Sequence, residues 1–402
     1  MLTESQVDFL ISQAGRDAMK IALPSDALQA ITKLRKKYSP QQASAIVELH
    51  KVRSKAKSKF PPSVACQIFA SDVMFQQSSS LRLANYVASQ LTENIDADTE
   101  IFDVCSGLGT DAIAANLAGA KVKAIDLNPA VAKCATQNSK LLGARSIEFI
   151  VGSAEQFLPQ LDGKIVHCDP DRRSTGRRSA SLEDYAPSLE TLKAIIEKSR
   201  AGAIKFSPAT DISLLSDFPG AKIEFISEDW TCKQLVLWWG DIAYKMPDQF
   251  ASVITGDFES PICFKVSKTH EKLEVTSIKR WLYEIDPAVI AARATDSLGA
   301  QVDATRIDSQ LDWLTGENKI VDCPAIRSFE VLKILPGRIN AVKSALAKLD
   351  AGQVAIKPRG IQLNTDSLQK KLRKVGGENR LVVFWGKFGK TQQAIITRDN
   401  EK

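Results

Sequence analysis

The sequence has little histidine and lacks any long apolar segment. It contains three histidines and seven cysteines, and no two cysteines form a C-x-x-C pair. Zinc clusters and disulfide frameworks need closely spaced ligands or paired cysteines, so we expect neither a bound metal nor disulfides. No run of about 18 uncharged apolar residues could cross a membrane, and the first residues lack the apolar core of a secretory signal. These absences predict a cytoplasmic protein.

The composition is that of a globular protein with a mild excess of positive charge. The chain has 402 residues, of which 44% are hydrophobic and 25% are charged. This balance excludes disordered, collagen-like and coiled-coil chains, and at roughly 150 residues per domain it predicts two or three domains. Lysine and arginine number 53 and aspartate and glutamate 47, a net charge of +6. That charge is compatible with a polyanionic partner.

Changes in apolar spacing divide the chain into four predicted parts. Residues 1–95 predict an N-terminal helical domain, 96–265 an α/β domain, 266–325 a helical connector and 326–402 a small α+β domain. Basic residues in the first part form either a solvated helix face or a phosphate-binding surface. They are Lys33, Arg35, Lys36, Lys37, Lys51, Arg53, Lys55, Lys57 and Lys59.

The second predicted part alternates short apolar runs with amphipathic segments. Strand-like runs lie at 101–105, 121–126, 147–151, 164–169 and 203–207, and helical stretches at 111–118, 129–141 and 186–200. This alternation predicts a parallel, doubly wound α/β sheet of Rossmann-like type. Two further runs, at 222–227 and 234–239, predict an antiparallel pair closing the sheet edge.

The strongest local motif is the glycine-rich turn DVCSGLGTDA at 103–112. Gly107, Gly109 and Ala112 have the spacing of a dinucleotide fingerprint between a strand and a helix, and Asp126 ends the next strand. Two cofactors are compatible with this spacing, a nicotinamide dinucleotide and S-adenosylmethionine.

Charge separates the two cofactors. A dinucleotide has an anionic pyrophosphate, which favours backbone N–H groups without nearby carboxylates. S-adenosylmethionine has a sulfonium and an ammonium against one carboxylate, so its site can use acids. Asp103, Asp126, Glu155 and Asp169 lie near the carboxyl ends of four predicted strands, which meet along one crevice. The four acids favour S-adenosylmethionine and leave a nicotinamide-dependent oxidoreductase as the weaker alternative.

The fourth strand ends in the segment HCDPDRRSTGRR, at 167–178. Methyl transfer needs an acceptor held near the methyl group and a group that takes its proton, which makes Asp169 and Pro170 the candidate catalytic residues. Arginine binds phosphate with two parallel hydrogen bonds. Four arginines are therefore candidate substrate ligands, the alternative being pairing with nearby acids: Arg172, Arg173, Arg177 and Arg178. Lys205, at the end of the next strand, is a further candidate on the substrate side.

These motifs resemble those of class I S-adenosylmethionine-dependent methyltransferases, in the same order. The resemblance implies that Asp103 contacts the methionine ammonium, that Asp126 binds the ribose and that Asp169 borders the methyl group. It also implies further cofactor contacts by Ser106, Gly107, Gly109, Leu127, Ala154 and Glu155. Methyltransferases of exocyclic amines have Asp/Asn-Pro-Pro-aromatic after the fourth strand. Asp171 and Arg172 depart from that pattern, which counts against an amine as the acceptor.

The whole chain resembles a bacterial family in which such a core is joined to a THUMP-like C-terminal domain. The segments that carry this resemblance include DPDRRSTGRRS at 169–179, KFSPATD at 205–211, YEIDP at 283–287 and AIKPRG at 355–360. THUMP domains bind RNA, so the resemblance implies RNA as the substrate, either tRNA or rRNA.

Basic residues in the last predicted domain favour RNA independently, since Trp385 and Phe388 lie among them. They are Lys357, Arg359, Lys370, Lys371, Arg373, Lys374, Arg380, Lys387 and Lys390. A solvated helix face explains 370–374 equally well. We predict S-adenosylmethionine-dependent methylation of structured RNA. The alternatives are methylation of a small molecule and a non-catalytic RNA-binding protein that retains the cofactor fold.

Overall fold

The computed structural model describes residues 1–21, 23, 26–93, 95–96, 99–172, 185–269, 271–372 and 377–398. The chain divides into two units. The first consists of Met1–Glu224, Lys233–Asp248 and Ile254–Cys263, and the second of Phe225–Cys232, Gln249–Val253 and Phe264–Lys402. Within the described ranges, no helix combines the length and apolar character needed to cross a bilayer. Nor do these ranges group three or more His, Cys, Asp or Glu side chains as metal ligands.

The first unit begins with helices throughout the described part of residues 1–95. Thr3 and Ser39 start two of them with capping boxes, in which a glutamine three residues later returns the hydrogen bond. Their apolar faces pack into one buried cluster that also includes Leu108 and Val131. The helices are α1 (Glu4–Ile11), α2 (Gln13–Ala18), α3 (Ala27–Leu34), α4 (Pro40–Lys55), α5 (Pro62–Ala65), α6 (Asp72–Gln77) and α7 (Leu81–Leu91).

A parallel sheet with crossover helices follows, as the alternating pattern predicts. Its strands are β1 (Glu100–Val104), β2 (Lys121–Asp126), β3 (Ile147–Val151), β4 (Ile165–Cys168) and β7 (Ala201–Phe206). They lie in the order β3-β2-β1-β4-β7, and each adjacent pair is parallel. The helices between them are α8 (Thr110–Leu117), α9 (Pro129–Leu142), α10 (Ala154–Phe157) and α11 (Leu189–Lys198). The predicted Rossmann-like α/β class is confirmed.

Additional strands extend this sheet to nine. They are β8 (Lys222–Glu228), β9 (Thr231–Gly240), β10 (Gln249–Thr255) and β11 (Ile262–Ser267), and β9 runs antiparallel to β7. The runs at 222–227 and 234–239 pair as predicted, since β8 and β9 are neighbours, but they do not close the sheet edge because β10 and β11 lie beyond β8. A separate two-stranded ribbon, β5 (Asp171–Arg172) and β6 (Tyr185–Ala186), follows β4.

The second unit contains a seven-stranded sheet with the order β13-β14-β12-β15-β18-β17-β16. Its strands are β12 (Trp281–Ile285), β13 (Thr305–Arg306), β14 (Trp313–Gly316), β15 (Ile326–Pro336), β16 (Ala351–Arg359), β17 (Asn379–Phe388) and β18 (Thr391–Arg398). Its helices are α12 (Pro287–Ala291), α13 (Thr295–Gln301), α14 (Ile339–Lys348) and α15 (Thr365–Leu372). Aliphatic residues of α14 and α15 pack on this sheet around Trp385.

The segment 266–325, predicted as a helical connector, is only partly helical. It contains α12 and α13, but β12, β13 and β14 also lie in it, and β12 pairs with β15 along five residues. Leu282 and Trp313 of this segment are buried against Phe329 and Phe384. Leu282 and Trp313 therefore occupy inward-facing strand positions of the C-terminal sheet. Short 3-10 helices lie at Ala56–Ser58, Leu158–Gln160, Ile212–Asp217 and Ala243–Lys245.

Gly202 in β7 provides a test of this packing. A Cβ at this position would lie 2.0 Å from the Val166 carbonyl oxygen and 2.5 Å from the Trp239 ring. Gly202→Ala should lower the free energy of unfolding by about 1–3 kcal/mol, because backbone and ring must both move. Urea denaturation of the full chain measures this value, with exposed Glu197→Ala as the control. Equal stability of the two variants would contradict the packing of β7 against β4.

Candidate cofactor and active site

The glycine loop between β1 and α8 depends on left-handed backbone conformations. Gly107 has φ 54° and Gly109 has φ 73°, values that glycine adopts without steric cost. A Cβ on Gly109 would also lie 2.9 Å from the Phe149 ring. The loop is tied to the end of β2, because the Gly107 N–H donates to Asp126 Oδ2 at 3.0 Å and the Asn128 N–H to Oδ1 at 2.9 Å.

A cavity of about 440 Å³ opens at the carboxyl ends of β1, β2, β3 and β4, within the first unit. Its volume is in the range of small-molecule sites. Its lining includes seven of the predicted cofactor residues: Ser106, Gly107, Asp126, Leu127, Ala154, Glu155 and Asp169. Parallel strands bring these residues together although they span 64 positions of the chain.

The side chains around the cavity differ in environment. Leu127 is 70% exposed, an open apolar surface beside the Asp126 carboxylate. Burial raises the pKa of Asp126 above its ordinary value, although two backbone N–H groups partly oppose this. Glu155 accepts a hydrogen bond from Thr191 Oγ1 at 3.0 Å. Hydrogen bonds, first of all from its own backbone N–H, lower the pKa of Glu155.

Asp103 lies beneath the cavity rather than in its lining. It is 1% exposed, and its Oδ1 is 2.6 Å from Nδ1 of His167, its parallel-register neighbour on β4. Within the described chain, Asp103 Oδ2 and His167 Nε2 are buried with no hydrogen-bond partner. A buried carboxylate oxygen in this state, together with the acids of the lining, fits a cofactor that carries an ammonium and a sulfonium.

Asp169 lies at the point where β4 ends and the cavity begins. Its backbone N–H donates to the Val104 carbonyl at 3.1 Å, which fixes the turn after the strand. Its side chain is 37% exposed and lines the cavity, whereas Pro170 is buried and is not part of the lining. Burial raises the pKa of Asp169, with opposing and reinforcing effects from Lys205 and Asp111. Cys168, the preceding residue, is buried and is not part of the lining.

Lys205, predicted on the substrate side, is buried with its side chain 3% exposed. Its ammonium contacts Asp111 Oδ2 at 2.6 Å, Ser79 Oγ at 2.7 Å and Asp169 Oδ2 at 3.4 Å. Sequence reasoning missed Asp111, Ser79 and His167 as site residues. Asp111 directly follows the glycine loop, which was an available signal, but Ser79 had none.

The predicted arginine cluster falls largely outside the described residues. Arg173, Arg177 and Arg178 lie outside them, and Arg172 is described only in its backbone, paired with Tyr185. Asp171, its neighbour, lines the cavity and accepts a hydrogen bond from Gln77 at 2.8 Å. The role of the four arginines as substrate ligands stays a prediction.

Several basic residues of the N-terminal helices have protein partners. Lys51 and Lys55 pair with Asp72, and Arg53 donates to the carbonyls of Gln67 and Ile68. Lys59 donates to three carbonyls at the end of α6. These contacts give the four residues partners within the protein, and the phosphate-binding surface stays a prediction.

Two family models match the chain. The model described as THUMP domain-like matches residues 326–399. The model described as RNA cap guanine-N2 methyltransferase matches residues 98–179. The second range includes the glycine loop, Asp126 and Asp169, so it covers the residues that line the cavity from β1 to β4.

Similar proteins extend beyond these ranges. An uncharacterized S-adenosylmethionine-dependent methyltransferase of Mycobacterium tuberculosis is 27% identical over 354 residues, which cover 85% of this chain and 92% of that protein. An uncharacterized RNA methyltransferase of Oceanobacillus iheyensis is 31% identical over 85 residues, 20% of this chain and 18% of that protein. The crystal structure of a Porphyromonas gingivalis W83 protein assigned as a methyltransferase has a TM-score of 0.74 at 19% identity and 100% coverage of both chains, a likeness of fold.

These findings confirm S-adenosylmethionine as the cofactor and the resemblance to the methyltransferase family with a THUMP-like domain. The chain is similar to S-adenosylmethionine-dependent methyltransferases over 85% of its length, and its residues 326–399 match the THUMP domain-like model.

Proposed function

We propose that the chain transfers the methyl group of S-adenosylmethionine to a base of structured RNA, either tRNA or rRNA. The observation that carries the proposal is the position of Asp169 on the rim of the cofactor cavity, in a chain that also matches a THUMP domain model. The match to a guanine-N2 methyltransferase model over residues 98–179 supports a nucleobase as the acceptor.

We assign the cofactor roles from the resemblance to methyltransferases, and the position of most of these residues around the cavity supports the assignment. Asp126 would accept hydrogen bonds from the ribose hydroxyls, and Leu127 would pack against the adenine. Ala154 and Glu155 would lie at the adenine edge, and Ser106, Gly107 and Gly109 would leave room beside the methionine part. The unpartnered oxygen of Asp103 would receive the methionine ammonium. The bound cofactor supplies the methyl group and a neutral leaving group.

An exocyclic amino group is the acceptor that we favour. The departures at Asp171 and Arg172 counted against an amine, but the guanine-N2 model spans both residues. The acceptor nitrogen would take the methyl group as its bond to sulfur breaks. The nitrogen would then lose one proton, which the ionised Asp169 carboxylate can accept or pass to water. The Asp169 carboxylate would orient the amine by accepting an N–H hydrogen bond, with Pro170 fixing the turn behind it.

Basic residues gather at one end of the sheet in the THUMP-like domain, whereas the opposite end carries both acids and the arginines Arg380 and Arg398. The strand pairs Arg359–Gly386 and Pro336–Gln393 place the ends of β15, β16 and β17 at one end of the sheet. Exposed or half-exposed basic residues meet there: Arg338, Arg359, Lys387 and Lys390. The acids Glu330, Asp350 and Glu378 lie at or next to the opposite end. We propose that this basic end of the domain contacts RNA phosphates.

The aromatic residues among these cations have a different role from the one predicted. Trp385 is 1% exposed, and Phe388 packs against Trp313 with ring centroids 6.4 Å apart. Lys357 pairs with Glu284 and lies 5.4 Å from the Phe329 ring. Trp385 therefore belongs to the core, and RNA binding by this domain would rest on charge rather than on base stacking. Arg373 and Lys374 lie outside the described residues, and the side chain of Lys371 is not described.

Label transfer tests the proposed reaction. The purified full chain is incubated with methyl-labelled S-adenosylmethionine and total RNA from cells that lack the protein. We expect nuclease-sensitive, protease-resistant label, and Asp169→Ala should reduce its rate by about a hundredfold or more, because the acceptor loses its positioning carboxylate. The Asp169→Ala protein should still bind the cofactor.

A matched control for this experiment is Asp162→Ala, an exposed aspartate of the same domain. It should transfer label at the wild-type rate. Label in a small-molecule fraction instead of RNA would favour the small-molecule alternative. Cofactor binding without label in any fraction would favour a binding protein that has kept the cofactor fold.

The glycine loop gives a prediction for cofactor affinity. Gly109→Ala should weaken S-adenosylmethionine binding about tenfold or more, because the Cβ meets Phe149 beside the loop and φ becomes strained. Gly163→Ala is the matched control, since its φ of 68° is similar but nothing lies within 4 Å of the added Cβ. Isothermal titration measures both affinities. Equal affinities would place the cofactor away from this loop.

The basic end of the THUMP-like domain can be tested by charge reversal. The double variant Lys387→Glu, Lys390→Glu should weaken binding of total tRNA at least about tenfold and flatten its dependence on salt. The control is Lys343→Glu, Lys348→Glu, which makes the same charge change on exposed residues of α14. Filter binding over a salt series gives both quantities. Equal losses in the two variants would contradict a role for this end of the sheet.

A further inference from the structure

The hydrogens of the Lys205 ammonium all point to acceptors within the protein, so none is available to bond a substrate. A lysine ammonium has three N–H donors. They are matched by three acceptors, Asp111, Ser79 and Asp169, at 2.6, 2.7 and 3.4 Å. The side chain is 3% exposed at the end of β7. Lys205 is therefore part of the wall behind Asp169 and does not reach into the cavity as a phosphate ligand would.

The same network fixes its own members. Ser79 Oγ accepts from Lys205 and also from Gln234 Nε2, at 3.2 Å. The Ser79 hydroxyl hydrogen is then free to point toward Asp111, and Ser79 lowers the pKa of that carboxyl. Asp111 belongs to the first turn of α8 and is 11% exposed. A buried ammonium between two carboxylates stays charged, since the Asp111 and Asp169 charges outweigh burial and raise the pKa of Lys205.

We propose that Lys205 is a positioning residue for methyl transfer, which holds the Asp169 carboxylate ionised and turned toward the acceptor, while Asp111 fixes the position of the lysine. This inference rests on the proposed role of Asp169 at the acceptor. The unequal distances support it, because the shorter contact anchors Lys205 to Asp111 and the longer one leaves Asp169 able to bond a substrate N–H.

The charges around Asp169 predict the direction in which each substitution should shift its pKa. Burial raises the pKa of Asp169, and Lys205 is the strongest opposing influence, while Asp111 raises that pKa further. Other charged or titratable neighbours of Asp169 include His167, Asp103, Asp171 and Cys168. A carboxylate that must be ionised loses its function as pH falls through its pKa. Removing Lys205 should therefore move the acidic limb of activity to higher pH, and removing the Asp111 charge should move it to lower pH.

Two variants with opposite effects test the proposal. Lys205→Met should raise the pKa of Asp169 by about one pH unit or more, and Asp111→Asn should lower it. The titration is read from ¹³C-carboxyl signals of the aspartates in the full chain, with Asp169 assigned by the signal that Asp169→Asn removes. Exposed Lys198→Met on α11 is the control and should leave this titration unchanged. The pH–rate profile of methyl transfer should shift in the same directions, about tenfold in rate per pH unit on the acidic limb.

The outcomes are separable from those of the proposed function. An Asp169 titration that moves in neither variant would overturn the inference and leave Lys205 as a structural ion pair. If Lys205→Met fails to fold, the double variant Lys205→Met, Asp111→Asn removes both buried charges, and Asp111→Asn alone still carries the predicted sign. Opposite shifts in a chain that labels a small molecule and no RNA would overturn RNA as the substrate and leave the role of Lys205 in methyl transfer standing.

Discussion

Parallel strands bring several carboxylates together at one edge of the sheet. Because these carboxylates repel one another, the site depends on nearby positive charge. Asp103, Asp126 and Asp169 lie at or next to the ends of three neighbouring strands, and Asp111 lies in the first turn of α8. Lys205 supplies one positive charge from inside the protein. In the proposed site, S-adenosylmethionine would supply further positive charge through its sulfonium and ammonium. The acidic cavity is thus matched to a cationic cofactor and would repel a pyrophosphate.

The sequence could predict those parts of the site that are encoded locally. The glycine loop, Asp126 and Leu127 lie in short motifs at the ends of strands, and the structure brings them to one cavity. Asp103 and His167 are 64 residues apart and meet only through the register of β1 with β4. The partners of Lys205 lie 94 and 126 residues away in the sequence, so they could not be foreseen. Its place at the end of a strand therefore suggested a contact with substrate.

The segments that were predicted wrongly are those whose structure depends on long-range packing. Apolar residues at 281–285 and 313–316 belong to strands because Leu282 and Trp313 are buried against β15 and β17 residues. Trp385 and Phe388 looked suited to stack on bases, but their own sheet buries the first and packs the second on Trp313. Basic residues interleaved with aromatic residues can belong either to a core strand or to a binding face, and the sequence alone does not distinguish them. The strand register shows which basic residues lie together at one end of the C-terminal sheet.

The most direct measurement for this account is a crystal structure of the full chain with S-adenosylhomocysteine, the product of methyl transfer. The account predicts that the ribose hydroxyls bond Asp126, that the amino group lies at Asp103, and that the sulfur faces an open space bordered by Asp169. A ligand whose ribose lies away from Asp126, or whose sulfur points away from Asp169, would contradict the proposed site.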